Sequence, residues 1–474
     1  MSAPAFPRGF RFGAATSAYQ IEGSPAAEGK GLSIWDRFTR RPGRVYRGHT
    51  GNVAADTYRD FQPDVAILRQ LGLNAYRFSV AWPRVLPEGR GAVNTRGLDY
   101  YDRLVDALLA ADVTPFVTLF HWDLPDALQR TIGGFAARDC AALFADYAEV
   151  VAARLGDRVR HWITLNEPWV FATLGHLRGL HAPGRHNPWA FLRVVHHQLL
   201  AHALAAPRLR ARGDAARVGL SLNLSPVYPL TGSDADRAAA RLADAGVNRL
   251  FLDPLCRGYY PQELWTRLRR FHPPVQPGDM EAIRGSLDFV GVNYYSRVRV
   301  RFRRLVPYLQ LWPDGLPLAG HAATLHPRGA AEQSAMGWEV YPAGLFELLF
   351  RLKQEYGNPP VFVTENGAAY DDPPPVNGRV PDEARRRYLA QHLDIVAAAL
   401  RAGADVRGYF VWSLIDNFEW TYGYDKRFGL VYVDFATQQR TIKDSGHWYG
   451  AFARQQTAAS GPRGTSAPRP ASIE

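Results

Sequence analysis

The chain has 474 residues, 47% of them apolar and 12% aromatic, with 21% charged; such a composition buries a large core and excludes a disordered or fibrous chain. Its net charge of +11 is almost wholly arginine, since lysine occurs only at Lys30, Lys353, Lys426 and Lys443. The basic residues are scattered, without a dense block or an interleaved aromatic motif, which argues against a nucleic-acid partner.

Short apolar runs alternate with amphipathic stretches along the chain. Runs at 12–16, 75–80, 115–120, 161–165, 218–224, 287–292, 361–364 and 406–412 read as strands. Stretches at 57–71, 98–111, 140–155 and 385–402 read as helices; in the first of these Val65, Leu68 and Leu71, with Ile67, have amphipathic spacing. Eight strands alternating with helices predict a parallel sheet, and eight is the number that closes a (β/α)8 barrel with long βα loops. The rival is an open doubly wound sheet, which calls for a GxGxxG turn after the first strand; Gly13 has no such partners.

No Pro/Ser/Gly-rich linker interrupts the body, so residues 1–454 read as one domain. Residues 455–474, rich in Ala, Ser, Pro, Gly and Arg without apolar periodicity, read as a disordered tail. Arg297, Arg299, Arg301 and Arg303 alternate with Val298, Val300 and Phe302, as in an edge strand with one basic, solvated face. Residues 303–333 have little periodicity and read as a long loop after the sixth strand, overhanging the site. Cys140 and Cys256 have neither CxxC nor metal-ligand spacing and are expected to be inert thiols. The N-terminal stretch lacks the apolar core of a signal peptide and no segment has the length of a membrane span, so the expectation is a cytoplasmic protein with no membrane partner.

A barrel gathers its functional groups at the C-terminal ends of its strands. Those ends read Gln20, Arg77, His121-Trp122, Asn166-Glu167, Asn223, Asn293 with Tyr295, Glu365 and Trp412. Each alone has a plain structural reading: Trp122 or Trp412 as a core or rim aromatic, His121 as a hydrogen-bonded structural histidine, Asn166 as the N-cap of a helix that Pro168 enters. Together they suit a polyhydroxylated ring, whose apolar face stacks on aromatics while its hydroxyls bond polar side chains. Glu167 and Glu365 each follow an apolar run, where a carboxylate is costly to desolvate unless it is paired or working. Two such carboxylates brought together are what acid–base cleavage of a glycosidic bond requires. HExxH, Walker A and Gly-rich phosphate loops are missing, so no metal and no cofactor are expected.

The motifs that carry these residues are collinear with those of a known family. They are Phe12 through Gly23 (FGAATSAYQIEG), Tyr76-Arg77-Phe78-Ser79, His121-Trp122-Asp123-Leu124-Pro125, Thr164-Leu165-Asn166-Glu167-Pro168, Gly291-Val292-Asn293-Tyr294-Tyr295, Thr364-Glu365-Asn366-Gly367, and Trp412 through Trp420 (WSLIDNFEW). From about residue 6 to about residue 452 the chain resembles glycoside hydrolase family 1, the β-glucosidases. The resemblance implies a retaining enzyme that removes terminal nonreducing β-D-glucosyl residues from small-molecule β-glucosides and cello-oligosaccharides, with transglycosylation as a companion activity. β-Galactosyl and β-fucosyl substrates stay open. Glu167 is implied as general acid and then base, and Glu365 as nucleophile, with carboxyls about 5–5.5 Å apart. Arg77 and Tyr295 are implied to stabilise the Glu365 carboxylate. Proximity of a second carboxylate is expected to hold the proton of Glu167 to higher pH.

By the same resemblance Gln20, His121, Trp122 and Asn166 bond ring hydroxyls, with Asn166 at the 2-hydroxyl and Asn293 nearby. Glu419 takes the 4- and 6-hydroxyls, Trp420 helps at the 3-hydroxyl, Trp412 forms the stacking floor, and Trp338 faces the leaving group. A carboxylate at Glu419 is expected to repel a 6-phosphate, so unphosphorylated substrates are implied. Phe135, where relatives usually have Trp, and Ile442, where Pro is common, depart from the family pattern outside the implied catalytic positions. A sugar-binding relative without catalysis is the alternative; it would be expected to have lost one of the two glutamates.

Overall fold

Eight strands hydrogen-bond in parallel into a closed barrel: β1 Arg11–Ala15, β2 Ala75–Ser79, β3 Thr114–Phe120, β4 His161–Asn166, β5 Arg217–Asn223, β6 Phe289–Tyr294, β7 Val361–Asn366 and β8 Val406–Trp412, with β8 closing on β1. The computed structural model describes residues 6–213, 215–306, 308–313 and 332–459. The strands are legible as apolar runs because a parallel barrel buries both of their faces. Alternate residues divide between two cores. Ala15, Ala75, Phe116, Ile163, Phe289, Phe362 and Phe410 fill the barrel interior, and their neighbours Val117, Leu165, Val363, Tyr409 and Val411 pack outward against the helices.

Helix boundaries follow local chemistry. The first long helix covers Gln62–Leu71 and not 57–71, because Pro63 lacks an N–H and is tolerated only in the first turn; Gly72, at φ 71°, ends it. Asp139–Leu155 and Pro188–Arg210 pack against each other on the outside of the barrel. Phe135 is fully buried there against Phe120, Phe144 and Phe171, which accounts for its apolar character.

Two expectations outside the barrel are corrected. The alternating arginine run forms the strand Val298–Phe302, which is the middle strand of a three-stranded sheet, between Val227–Pro229 and Leu311–Pro313, and not an edge. Its valines Val298 and Val300 pack on Ala239, Ala240 and Ala243, so the alternation marks a half-buried strand that two flanking strands cover. The 303–333 stretch therefore includes a strand, Leu311–Pro313, while residues 314–331 lie outside the described residues.

The last helix, Asp444–Ala459, runs five residues past the expected boundary at 454. Gln455, Gln456, Ala458 and Ala459 are strong helix formers and extend a helix already anchored by buried Tyr449 and Ala453. Residues 460–474 of the expected tail lie outside the described residues. Among the described residues no helix is long and apolar enough to cross a membrane. Cys140 is buried and Cys256 partly so, both unpaired, with burial raising each thiol above its ordinary pKa.

Candidate active site

The barrel brings the C-terminal ends of its strands to one face, where a cavity is lined by His121, Trp122, Asn166, Glu167, Asn293 and Glu365 among others. The two glutamates enter it from irregular strand ends. The pairing of β4 with β5 shifts register between Ile163 and Asn166, and that of β7 with β6 between Val363 and Glu365. Such irregularities re-aim side chains near functional sites. Glu167 occupies the N-cap position of the short helix Pro168–Ala172 with φ 44°, so Glu167, and not Asn166, is the entry residue of the dull helix-start reading. Trp122 (φ 75°) and Trp420 (φ 48°) share this sparsely populated backbone region, at a cost of about 1 kcal/mol or more each. Gly367 follows Glu365 where a Cβ would come within 1.8 Å of the Trp412 carbonyl, so the glycine of this motif is required by close backbone approach.

Arg77 lies inside the barrel, fully buried, with each guanidinium nitrogen engaged. Its Nη1 donates to Glu365 Oε1 at 2.6 Å and to the Thr364 carbonyl at 3.1 Å, Nη2 to Asn166 Oδ1 at 2.6 Å, and Nε to Thr118 Oγ1 at 3.1 Å. Tyr295 donates to Glu365 Oε2 at 2.7 Å. Glu365 is thus held at both oxygens. Glu167 instead accepts one neutral bond, from Asn293 Nδ2 at 2.9 Å, and Thr364 Oγ1 in turn donates to Asn293 Oδ1 at 2.7 Å.

These environments separate two chemically identical groups. Burial raises both carboxyls; for Glu365 the charge of Arg77 and the bond from Tyr295 offset part of that rise and leave it above the ordinary carboxylate range, while Glu167 is pushed up to about 8. Desolvation is the larger cause for Glu167 and the charge of Glu365 the second, so the neighbouring carboxylate acts in the expected direction and burial adds the greater part. The proton shared by the pair therefore sits on Glu167. Glu419 is also pushed to about 8, by burial and then by Glu365.

The remaining residues fall into two groups. Trp412, His121, Trp122, Trp420, Trp338, Glu419 and Tyr295 line the cavity. His121 stacks on Trp412 with ring centroids 5.7 Å apart, and Trp122 meets Trp420 at 4.6 Å. Burial and Arg77 hold His121 neutral. With Asn166 Nδ2 donating to His121 Nε2 at 2.9 Å, the imidazole proton sits on Nδ1, which has no partner. Trp338 lies 5.2 Å from the Tyr295 ring. Its segment is held by the turn at Gly337 (φ 73°), the Ser334 N–H bond to the Trp338 carbonyl, and Ser296 Oγ donating to the Glu339 carbonyl.

Two implied sugar ligands are engaged differently from the expectation. Gln20 is fully buried outside the cavity lining; its Nε2 donates to Asn417 Oδ1 and the Phe418 carbonyl, both at 2.9 Å, with Glu419 Oε2 at 3.4 Å. It therefore orients the loop that carries Glu419. Trp122 donates its indole N–H to the Asn166 carbonyl at 2.9 Å and reaches a hydroxyl only by sharing that bond. Residues that motif reading passed over include Thr118, Thr364, Asn417 and Phe428. Thr364 and Asn417 sit inside quoted motifs, and Thr118 alternates with inward-facing Phe116, so each had a signal; Phe428 had none.

The family model for glycosyl hydrolase family 1 matches residues 2–458. β-Glucosidase A of Thermotoga maritima is 46% identical over 450 residues, covering 95% of this chain and 98% of that protein. A bifunctional β-D-glucosidase/β-D-fucosidase of Bifidobacterium breve is 43% identical, covering 96% and 99%. The solved structure of the Thermotoga maritima β-glucosidase in complex with deoxynojirimycin superposes with a TM-score of 0.89 at 45% identity, covering 95% of this chain and 99% of that one.

Proposed function

The chain belongs to glycosyl hydrolase family 1, and from that premise we propose that it is a retaining β-glucosidase acting on terminal nonreducing β-D-glucosyl residues of small-molecule glucosides and cello-oligosaccharides. The observation that carries this reading is the unequal treatment of two buried carboxyls: Glu365 gripped by Arg77 and Tyr295, Glu167 bonded only by Asn293. Glu365, kept ionised, attacks the anomeric carbon as Glu167 passes its proton to the glycosidic oxygen and the alcohol leaves. The Glu365 charge is then lost to the ester, so Glu167 ionises more readily and takes a proton from water. That water attacks the anomeric carbon, the ester bond breaks, and Glu365 regains its carboxylate as glucose departs. An alcohol or sugar entering in place of water gives transglycosylation by the same bond changes.

Asn166 and His121 line the cavity, where they can bond the ring hydroxyls. Trp412 forms the stacking floor and Trp338 the leaving-group wall. Glu419, protonated near neutrality, both donates to and accepts from the 4- and 6-hydroxyls. The expected repulsion of a 6-phosphate by an ionised Glu419 is therefore weaker than charge counting implies. Selection against phosphate rests instead on the bordering cations being committed, Arg77 to Glu365 and Asn166, Arg297 to Glu339 at 2.7 and 2.8 Å. β-D-Fucosides have the axial 4-hydroxyl of galactosides and lack the 6-hydroxyl, and the Bifidobacterium breve relative's name favours their acceptance.

The test is p-nitrophenol release from matched β-glucoside, β-galactoside, β-fucoside and 6-phospho-β-glucoside. Release from the β-glucoside with little from the phosphorylated substrate supports the reading. A preference for the phosphorylated substrate overturns the pocket assignment, and a folded protein inert towards all four supports the non-catalytic sugar-binding alternative.

A further inference from the structure

The opposite, N-terminal mouth of the barrel holds a second cavity, of about 340 Å³. Its wall is built by the residues that open the strands: Arg11 begins β1, His161 begins β4, Arg217 begins β5, and Arg407 is the second residue of β8. Phe289 and Phe362 form an apolar wall shared with the barrel interior, and the His161 ring stacks on Phe116 at 4.1 Å. Three guanidinium groups and an imidazole thus line one half-open cavity, with Arg217 and Arg407 on its exposed rim.

The charge there is not balanced. Asp288, the acidic residue of the lining, is taken by Arg210, bidentate at 3.0 Å, and by the Val218 N–H at 2.8 Å. Arg407 is paired with Asp405 at 2.8 Å. Arg11 has no acidic partner among the described residues; Arg217 bonds only the Ala216 carbonyl, and His161 Nδ1 is buried without a hydrogen-bond partner. Partial burial of an uncompensated guanidinium is unfavourable, and burial accordingly lowers the pKa of Arg11. The apolar wall of Phe289 and Phe362 strengthens the field of the remaining cations in the cavity. An oxyanion would remove that cost and supply acceptors to both guanidiniums, whose planar forks match phosphate and sulfate oxygens. None of these residues touches the glycosidase site at the other end of the barrel.

We propose that this cavity is a binding site for a small multivalent oxyanion of the phosphate class, held by Arg11 and Arg217 beside the His161 ring. The site gives the net positive charge of the chain a local focus that hydrolysis of neutral glucosides leaves unused.

Calorimetric titration of the full chain at constant ionic strength tests this, with orthophosphate as the free ion, phenyl phosphate as a phosphoryl ester, and chloride as the control. The expected result is saturable one-to-one binding of orthophosphate, of phenyl phosphate or of both, absent with chloride; which of them binds more tightly identifies a free ion or an ester as the source. Arg217→Gln, at an exposed position and so compatible with folding, should weaken binding about tenfold, the loss of one charge-assisted contact. Arg11→Gln in addition should abolish it, with β-glucoside hydrolysis unchanged; if the double variant does not fold, Arg217→Gln alone decides. Absence of saturable binding, or equal affinity of native protein and Arg217→Gln, overturns the assignment.

Discussion

Arg77 Nη1 and Glu365 Oε1 lie 2.6 Å apart with both side chains out of solvent, and the same guanidinium holds Asn166 at 2.6 Å. One cation on β2 therefore stabilises the ionised carboxylate on β7 and fixes the amide on β4 that precedes the acid. A buried ion pair needs this kind of saturation, because a buried charge missing a partner is strongly unfavourable. The arrangement links the charge state of the site to its geometry.

Replacing Arg77 by Lys keeps a positive charge but cannot reproduce the fork that bonds Glu365 and Asn166 together. The turnover of a β-glucoside should fall about 10²-fold. In the proposed mechanism Glu365 attacks as the ionised carboxylate, so activity is expected above its pKa. Weakening its cation contact raises that pKa, and the acid limb of kcat/KM should move to higher pH. An unmoved acid limb would show that Arg77 does not set the ionisation of Glu365.

In the proposed mechanism Glu167 carries a proton when the leaving group departs, and its folded-state value is pushed up to about 8. Activity should be present below that value and fall above it. Glu167→Gln should abolish the basic limb and slow substrates with poorly activated leaving groups by about 10²–10⁴-fold. Aryl glycosides with good leaving groups should lose much less in the glycosylation step. A basic limb that survives the substitution belongs to another group.

Asp123, buried beside His121-Trp122 in the chain, is pushed up to about 8, chiefly by desolvation and then by Glu22. The folded state thus keeps a proton that the unfolded chain releases above about pH 4. Its stabilising contribution is complete below pH 4 and is lost as pH rises towards 8, by up to about 1.4 kcal/mol per pH unit. Asp123→Asn is neutral at all pH, so its unfolding midpoint should decline less between pH 4 and 8 than that of the native protein. Parallel curves would mean that Asp123 is ionised in the folded state.

The barrel was legible because parallel strands buried on both faces appear as apolar runs, and because the residues closing them, such as Glu167, Asn293 and Glu365, are polar. What stayed hidden depends on relations between segments. No local pattern reveals that β4 and β7 shift register beside the glutamates, that Gln20 turns to Glu419 and Asn417, or that two short strands flank Val298–Phe302. The rank of causes behind Glu167 was hidden as well, since desolvation is a property of packing and not of the carboxylate pair alone. Trp338 could be placed only by the tight turn at Gly337, in a segment without periodicity.

The central claim is that Glu365, and not Glu167, forms the covalent bond to the sugar. A 2-deoxy-2-fluoro-β-glucoside with a good leaving group slows both steps and lets the glycosyl-enzyme accumulate, so peptide mass spectrometry can locate the label. The account predicts one fluoroglucosyl group per chain, on Glu365, with activity lost in proportion. A label on Glu167, or continued turnover of this substrate with no label and an inverted first product, would contradict it.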